Sequence, residues 1–372
     1  MPRLQPGTRL PAQGSETTVS TLYLTEQRSL VKKDGDCLAV HIPADKEKGT
    51  QKRVVRVPLI KISQVVVYGD STITAPALRA LLENRVEICF LSYHGRFCGQ
   101  LSPPFSKNSL IRIEQHRVHN DPARALALAK KFVLGKLSNM RTLLLRYNRK
   151  LKDERIAQGI ASLRGVIQQV EGVEPDPEIE VNPSDPQAGT PLGTLLGLEG
   201  AGTAFYFGLF GRLLKQDLGF VGRAKRPPTD PVNALLSYGY VLLMHNLSSA
   251  ISLVGLDPYV GYLHSSQYGK PALALDLMEE FRPLIVDSVA LTLINNGILK
   301  ARDFQEELGA YRLTERGRRI YLTKFEERLN TTITHPLFGY KASYRKCLEL
   351  QVRLLAKTLT GEVPEYVPFV VR

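Results

Sequence analysis

Residues 102–110 read SPPFSKNSL, and the sequence follows a different period on each side of that stretch. From 21 to 102, short runs rich in Val, Ile and Leu (TLYL, SLVKK, CLAVHI, RVVRVPLI, QVVVYG) are separated by turn signals such as the DGD at 34–36, which is a strand pattern. One short helix, APALRALLENR at 75–85, interrupts it, and VEICFLS and RFCGQL on either side of YHG read as a closing hairpin. From 111 onward the spacing turns helical and Ala, Leu, Lys and Arg dominate. NDPARALALAKKFVLGKL opens with an Asn/Asp cap and a proline in the first turn. The expected fold class is therefore α+β. A flexible leader (1–20) precedes a β-rich N-terminal domain (21–102), a Pro-containing linker (103–110) and a larger, mostly α-helical domain (111–372). Within the last, residues 171–190 hold six acids, four prolines and no Lys or Arg, so a mobile acidic loop is expected there.

A chain of 372 residues is long enough for each domain to bury its own core. Its charge is unusual: 49 Lys and Arg against 36 Asp and Glu leave +13, which points to a polyanionic partner, nucleic acid before anionic membrane. The excess is uneven. Between 106 and 155, thirteen Lys and Arg minus four Asp and Glu give +9, with Lys130, Lys131, Lys136, Arg141, Arg146, Arg149, Lys150, Lys152 and Arg155 recurring. A merely solvated helix mixes signs, so this imbalance favours phosphate contacts. Cys37, Cys89, Cys98 and Cys347 lack any C-x-x-C spacing, so neither a zinc cage nor a disulfide framework is expected. The start, MPRLQPGTRLPAQGSETT, has no apolar core for a signal peptide. Residues 234–256 carry no charge and are long enough to span a bilayer, but His245, Asn246 and four serines within them make a buried helix and its turn the better reading. A cytoplasmic protein without membrane association is expected.

The stretch GYLHSSQYGKPALALDLMEEFRP (261–283) places Asp276, Glu279 and Glu280 on one helical face beside Leu273 and Leu277, with Asp287 extending it. Two readings stand: an amphipathic helix showing its wet side, or an acid facing His264 across a metal. Glu199, in LLGLEGAGTAFYFGLF (195–210), has Leu195 and Leu196 four and three residues before it, so its own face is apolar. An ionised carboxylate there needs a cation, either an arginine or a metal. In FVGRAKRPPTDPVNALLSYGY (220–240), Arg223, Lys225 and Arg226 precede a helix capped by Thr229 or Asp230, a phosphate-gripping arrangement. His116 and His119 are expected on the surface, His41 and His94 in core or turn, and Phe205, Tyr206 and Phe207 in the core.

LEGAGTAFYF, then FVGRAKRPPTDPVNALLSYGY, then GLDPYVGYLHSSQYGKPALALDLMEEFRPLIVD, in that order and at those separations, resemble the CRISPR-associated integrase family, CRISPR-associated protein one. The resemblance covers nearly the whole chain. It implies antiviral defence by spacer acquisition: an endonuclease and integrase that inserts new spacer DNA into a CRISPR array by 3′-hydroxyl attack on a phosphodiester. It implies metal ligands at Glu199, His264 and Glu279, with Asp276 as an accessory catalytic acid and Glu280 a neighbour outside the ligand set. Mg²⁺ or Mn²⁺ is the implied cofactor, imidazole suiting Mn²⁺ better. Arg223, Lys225, Arg226, Lys270 and Arg282 are the expected DNA-binding cations. Double-stranded DNA (spacer precursor and CRISPR repeat), a second copy in a homodimer formed through the β-rich domain, and the small CRISPR-associated protein two are the implied partners. Crowding of Glu199, Glu279 and Asp276 is expected to cost stability without metal. Two rivals remain: a transposase on the same catalytic domain, expected to carry a further DNA-binding module after the helices, for which the ending GEVPEYVPFVVR leaves no room, and a non-catalytic DNA-binding scaffold.

Overall fold

The computed structural model describes residues 20–45, 51–93, 95–104, 106–176, 189–224, 227–264 and 268–371. These fall into two compact units that divide between Pro103 and Pro104. Residues 1–19 of the leader, Lys225, Arg226, His94 and most of the acidic segment lie outside the described residues.

The first unit holds β1 (Ser20–Leu24), β2 (Ser29–Asp34), β3 (Cys37–Ile42), β4 (Arg53–Pro58), β5 (Ile62–Tyr68), β6 (Ser71–Ile73), α1 (Ala75–Glu83), β7 (Glu87–Leu91) and β8 (Phe97–Leu101). They build two four-stranded sheets, β1-β5-β7-β8 and β4-β3-β2-β6. The DGD signal becomes the β2–β3 hairpin, in which Asp34 faces Cys37 and Gly35 takes φ +58°, a conformation that glycine adopts at little cost. β7 and β8 pair antiparallel, as the hairpin pattern requires. Val31, Val40, Val65, Val67 and Ile88 from the two sheets bury against Ala77 and Leu81 of α1, so the alternating apolar residues of the strands share one core.

The second unit is mostly helical: α2 (Ser109–His119), α3 (Pro122–Leu151), α4 (Glu154–Glu171), α5 (Pro191–Phe210), α6 (Pro231–Val254), α7 (Ala272–Arg282), α8 (Ser288–Asn295), α9 (Glu315–Leu329) and α10 (Tyr344–Leu359). A π turn over Pro283–Asp287 joins α7 to α8. Two small ribbons complete it, β9 (Phe304–Glu307) with β10 (Ala310–Leu313) and β11 (Thr332–Thr334) with β12 (Lys341–Ser343). Ser109 and Leu110, read as linker, are already helical. The caps are those the sequence offers. Asp121 accepts from Arg124 N ahead of Pro122, and Asp230 accepts from Asn233 N at 2.8 Å ahead of Pro231. Residues 234–256 fall mainly in α6, and no described helix is long and apolar enough to cross a membrane.

The thirty-residue α3 packs against α4, α5 and α7. Its contact with α7 is close: a Cβ on Gly135 would lie 2.7 Å from Glu280 Cγ. The acidic segment begins packed, contrary to its reading as an unpacked loop from residue 171. Glu171 closes α4, Val173 is buried, and Lys130 Nζ meets the Val173 carbonyl and, at 3.2 Å, Glu174 Oε1.

Candidate active site

α5 and α7 flank α3, and this brings Glu199, Glu279 and the loop carrying His264 together. None of the α7 acids is wet. Asp276, Glu279 and Glu280 are at most 3% exposed, and Asp287 is fully buried. The wet-face reading is overturned, because α7 is enclosed on all sides and each acid has found its own partners.

Asp276 organises the loop before α7. Its Oδ2 accepts from Tyr262 N (2.6 Å) and Leu263 N (3.1 Å), and its Oδ1 from His264 N (2.9 Å) and His264 Nδ1 (2.8 Å). With three amides already donating to it, Asp276 acts as acceptor, so His264 donates through Nδ1 and leaves Nε2 on the side of Glu279. Nε2 stands 3.8 Å from Glu279 Oε1. Gly261 makes this approach possible: a Cβ there would meet Asp276 Oδ2 at 2.8 Å. From below, Gln115 of α2 clamps the same loop, donating to the Asp257 and Val260 carbonyls at 2.8 and 2.9 Å. His119, expected on the surface, is half-buried with Nδ1 2.6 Å from the Gly261 carbonyl.

Lys136 links the two glutamates. Its ammonium meets Glu199 Oε1 and lies 2.8 Å from Glu279 Oε2, while Thr203 Oγ1 donates to Glu199 at 2.9 Å. Arg282 Nη2 contributes a second cation to Glu279 at 3.1 Å. Burial alone would raise the Glu279 pKa, but Arg282, Lys136 and His264 together hold it down, to about 2. The sequence left an arginine or a metal as the cation for Glu199; the cation paired with it here is a lysine from the basic helix. Among the described residues no three of His, Cys, Asp and Glu already stand in an arrangement that could hold a metal ion. The donor chemistry nevertheless fits one: two carboxylates and an imidazole oriented by a carboxylate converge where the fold already places positive charge.

Glu280 turns to the other side of α7, where Tyr366 OH (2.7 Å), Phe369 N (2.7 Å) and Gln351 Nε2 (3.2 Å) bond to it. Asp287 accepts from Tyr206 OH (2.8 Å) and Tyr240 OH (2.6 Å). The Tyr240 ring carries the Arg282 guanidinium 4.7 Å from its centroid and that of Arg223 at 5.4 Å.

The model of CRISPR associated protein Cas1 matches residues 22–327. The chain belongs to the Cas1 family. A "CRISPR-associated exonuclease Cas4/endonuclease Cas1 fusion" of Geobacter sulfurreducens is 38% identical over 375 residues, which is 99% of this chain and 63% of that protein. The chain therefore spans less than two thirds of the fusion's length. A "CRISPR-associated endonuclease Cas1 3" of Thermus thermophilus is 38% identical over 95% of this chain and 98% of its own. Among solved structures, a "Casposase bound to integration product" superposes with a TM-score of 0.78 at 26% identity, covering 95% of this chain and 93% of that one. The α+β architecture agrees with a Cas1 structure from Thermotoga maritima, similar in fold.

Two expectations need correction within this Cas1 family chain. Arg223 is half-buried and spent inside the protein. Its guanidinium donates to the Ala224 carbonyl (2.5 Å), Asn233 Oδ1 (2.8 Å) and Ser237 Oγ (3.1 Å), so it props the loop against α6. Phe205 is 46% exposed, whereas Tyr206 and Phe207 are core. Lys270 is half-buried, and Arg282 is committed to Glu279 and Tyr240. Sequence reasoning missed Lys136 as a site residue, along with Gln115 and His119.

Proposed function

We propose that this chain is a metal-dependent DNA endonuclease and integrase of CRISPR spacer acquisition, an antiviral defence. It joins a DNA 3′-hydroxyl to a target strand by transesterification. The observation that carries this reading is the convergence of Glu199 and Glu279 from two helices, with His264 Nε2 beside Glu279 and a cation between the carboxylates. Glu199, Glu279 and His264 would hold Mg²⁺ or Mn²⁺. When bound, the ion would neutralise the reacting phosphate and activate the hydroxyl. The chain's residues do the rest. Asp276 fixes the imidazole, Arg282 brings positive charge to the edge of the site, and exposed Arg149, Lys150, Lys152 and Arg155 at the end of α3 and start of α4 meet the DNA backbone. The partners of this reading are double-stranded DNA, a second copy of the chain and the small CRISPR-associated protein two, in the cytoplasm.

The likeness to a casposase bound to integration product favours one alternative, a transposase with the same strand-transfer chemistry but another target. The experiment that tests the main reading is Mn²⁺-dependent strand transfer of labelled duplex DNA into a repeat-bearing plasmid. Glu199→Gln, His264→Ala and Glu279→Gln are compared with wild type, and circular dichroism monitors folding. Each substitution should abolish transfer while duplex binding persists, because phosphate contacts and chemistry reside in different residues. Near-normal transfer by Glu199→Gln or Glu279→Gln refutes the site. Efficient transfer into any target, with no preference for the repeat, favours the transposase reading.

A further inference from the structure

Lys136 belongs by sequence to the basic series of α3, yet its residue is only 4% exposed. Its ammonium reaches out of α3 to Glu199 on α5 and to Glu279 on α7. Among the described residues it is the one cation paired with both carboxylates. Arg282 touches Glu279 alone, and Thr203, the other group on Glu199, is neutral. Two carboxylates brought together away from bulk water repel, and the repulsion grows as the local dielectric falls. Lys136 supplies the compensating charge from a flexible four-carbon stem. The oxygens it occupies belong to the same two groups that a divalent ion would use. An ammonium and a divalent ion cannot share them without repelling each other.

We propose that Lys136 is a positioning residue: a tethered cation that keeps Glu199 and Glu279 converged in the metal-free protein and competes with the divalent ion for them, leaving at least one carboxylate when the ion binds. This inference rests on the metal reading above. It has two consequences with opposite signs. Without metal, Lys136 stabilises the protein. With metal, it weakens binding relative to what the ligands alone would give, since two ligands for one site oppose each other reciprocally.

The test uses Lys136→Met, which keeps the unbranched stem and removes the charge. Two quantities are measured on the full chain: the Mn²⁺ dissociation constant by calorimetry, and the melting temperature with chelator and with saturating Mn²⁺. The expected result is a lower metal-free melting temperature, an Mn²⁺ affinity about tenfold tighter, and a larger Mn²⁺-induced rise in melting temperature than in wild type. A residue that only filled space would lower the melting temperature without tightening the metal. Unchanged or weaker Mn²⁺ affinity therefore overturns the proposal, as does an unchanged metal-free melting temperature. If Lys136→Met does not fold, Lys136→Met/Glu199→Gln decides. With one carboxylate neutral the cation is no longer needed, so a folded double variant upholds the proposal and an equally unfolded one overturns it. Wild type that binds no Mn²⁺ sinks the metal reading and this inference together. Wild type that binds it, with Lys136→Met binding no tighter, sinks this inference alone.

Discussion

Glu279 and Glu280 are consecutive residues of one helix and equally hidden from solvent, yet their environments drive them apart. On the side of Glu279, burial is outweighed by Arg282, Lys136 and His264, and the pKa falls to about 2. On the side of Glu280, burial dominates and is only partly offset by Phe369 N, Tyr366 OH and Gln351, so the pKa rises to about 8. At neutral pH one carboxyl is an anion and its neighbour keeps its proton. Depth of burial therefore does not set the charge of a buried acid; the nearby cations do. The charged side of α7 is prepared for ionic chemistry. The neutral side is a hook for residues 366–369, which pack against it. The expected crowding of acids is also resolved here, because Lys136 and Arg282 already compensate Glu199 and Glu279. Glu279→Gln should thus lower the metal-free melting temperature, not raise it.

The largest effect should separate the two glutamates by activity. Glu279→Gln should reduce Mn²⁺-dependent strand transfer by about a hundredfold or more, in the range seen when one group that stabilises the transition state is removed. Glu280→Gln should stay within about threefold of wild type, because its partners are structural. Initial rates at matched folded concentration measure both. Equal losses would break the comparison and place Glu280 in the site.

Much of this was legible in the sequence. The strands of the first unit and the capped helices of the second follow from period and punctuation, and α3 is announced by Asp121 and Pro122. Glu199 is flagged by its apolar face, and the family resemblance joins it to His264 and Glu279. Lys136 was hidden among eight other cations, although one signal marks it. Ala129, Val133, Lys136, Met140 and Leu144 step by four and three along α3, so Lys136 lies in the buried stripe where a lysine must have acidic partners. Asn139 is buried beside that stripe, and holds the Phe369 carbonyl and Val371 N. Arg223 is ambiguous because a loop cation looks the same in sequence whether it grips a phosphate or the side chain of Asn233, ten positions away in the first turn of α6. Arg282, three residues after Glu279, marks the charged side of α7 locally, but the second cation, Lys136, comes from a helix distant in the chain and no local pattern encodes it.

A second effect sharpens the neutral side. Glu280→Ala removes the acceptor of Tyr366 OH and Phe369 N and leaves both donors without one, at roughly 1–3 kcal/mol each, although Gln351 Nε2 still donates to the Tyr366 oxygen at 2.8 Å. The melting temperature should fall by several degrees. Glu280→Gln should cost far less, since a carboxamide, like a protonated carboxyl, offers one acceptor and one donating group. If Gln is as damaging as Ala, Glu280 is ionised in the folded protein and the contrast with Glu279 fails.

The smallest effect concerns Asp287, which stands between the two extremes. Burial raises its pKa to about 6, while Tyr240 and Tyr206 hydroxyls and the more distant Arg282 and Arg223 charges hold it below the Glu280 value. A carboxyl whose folded pKa exceeds its usual value of 3.8 favours folding when protonated. Its contribution is fully present below pH 3.8 and is lost as pH rises through about 6. Linkage over that window amounts to roughly 3 kcal/mol, at about 1.36 kcal/mol per unit. Asp287→Asn carries no titrating proton but keeps an oxygen for the Tyr240 hydroxyl. Its melting temperature should therefore decline less than wild type's between pH 4 and pH 7, with the two curves diverging most between pH 4 and pH 6. Parallel curves would mean that Arg282 and Arg223 hold Asp287 ionised throughout. It would then belong with Glu279 on the charged side, and the boundary between the two sides of α7 would have to be redrawn at Tyr240.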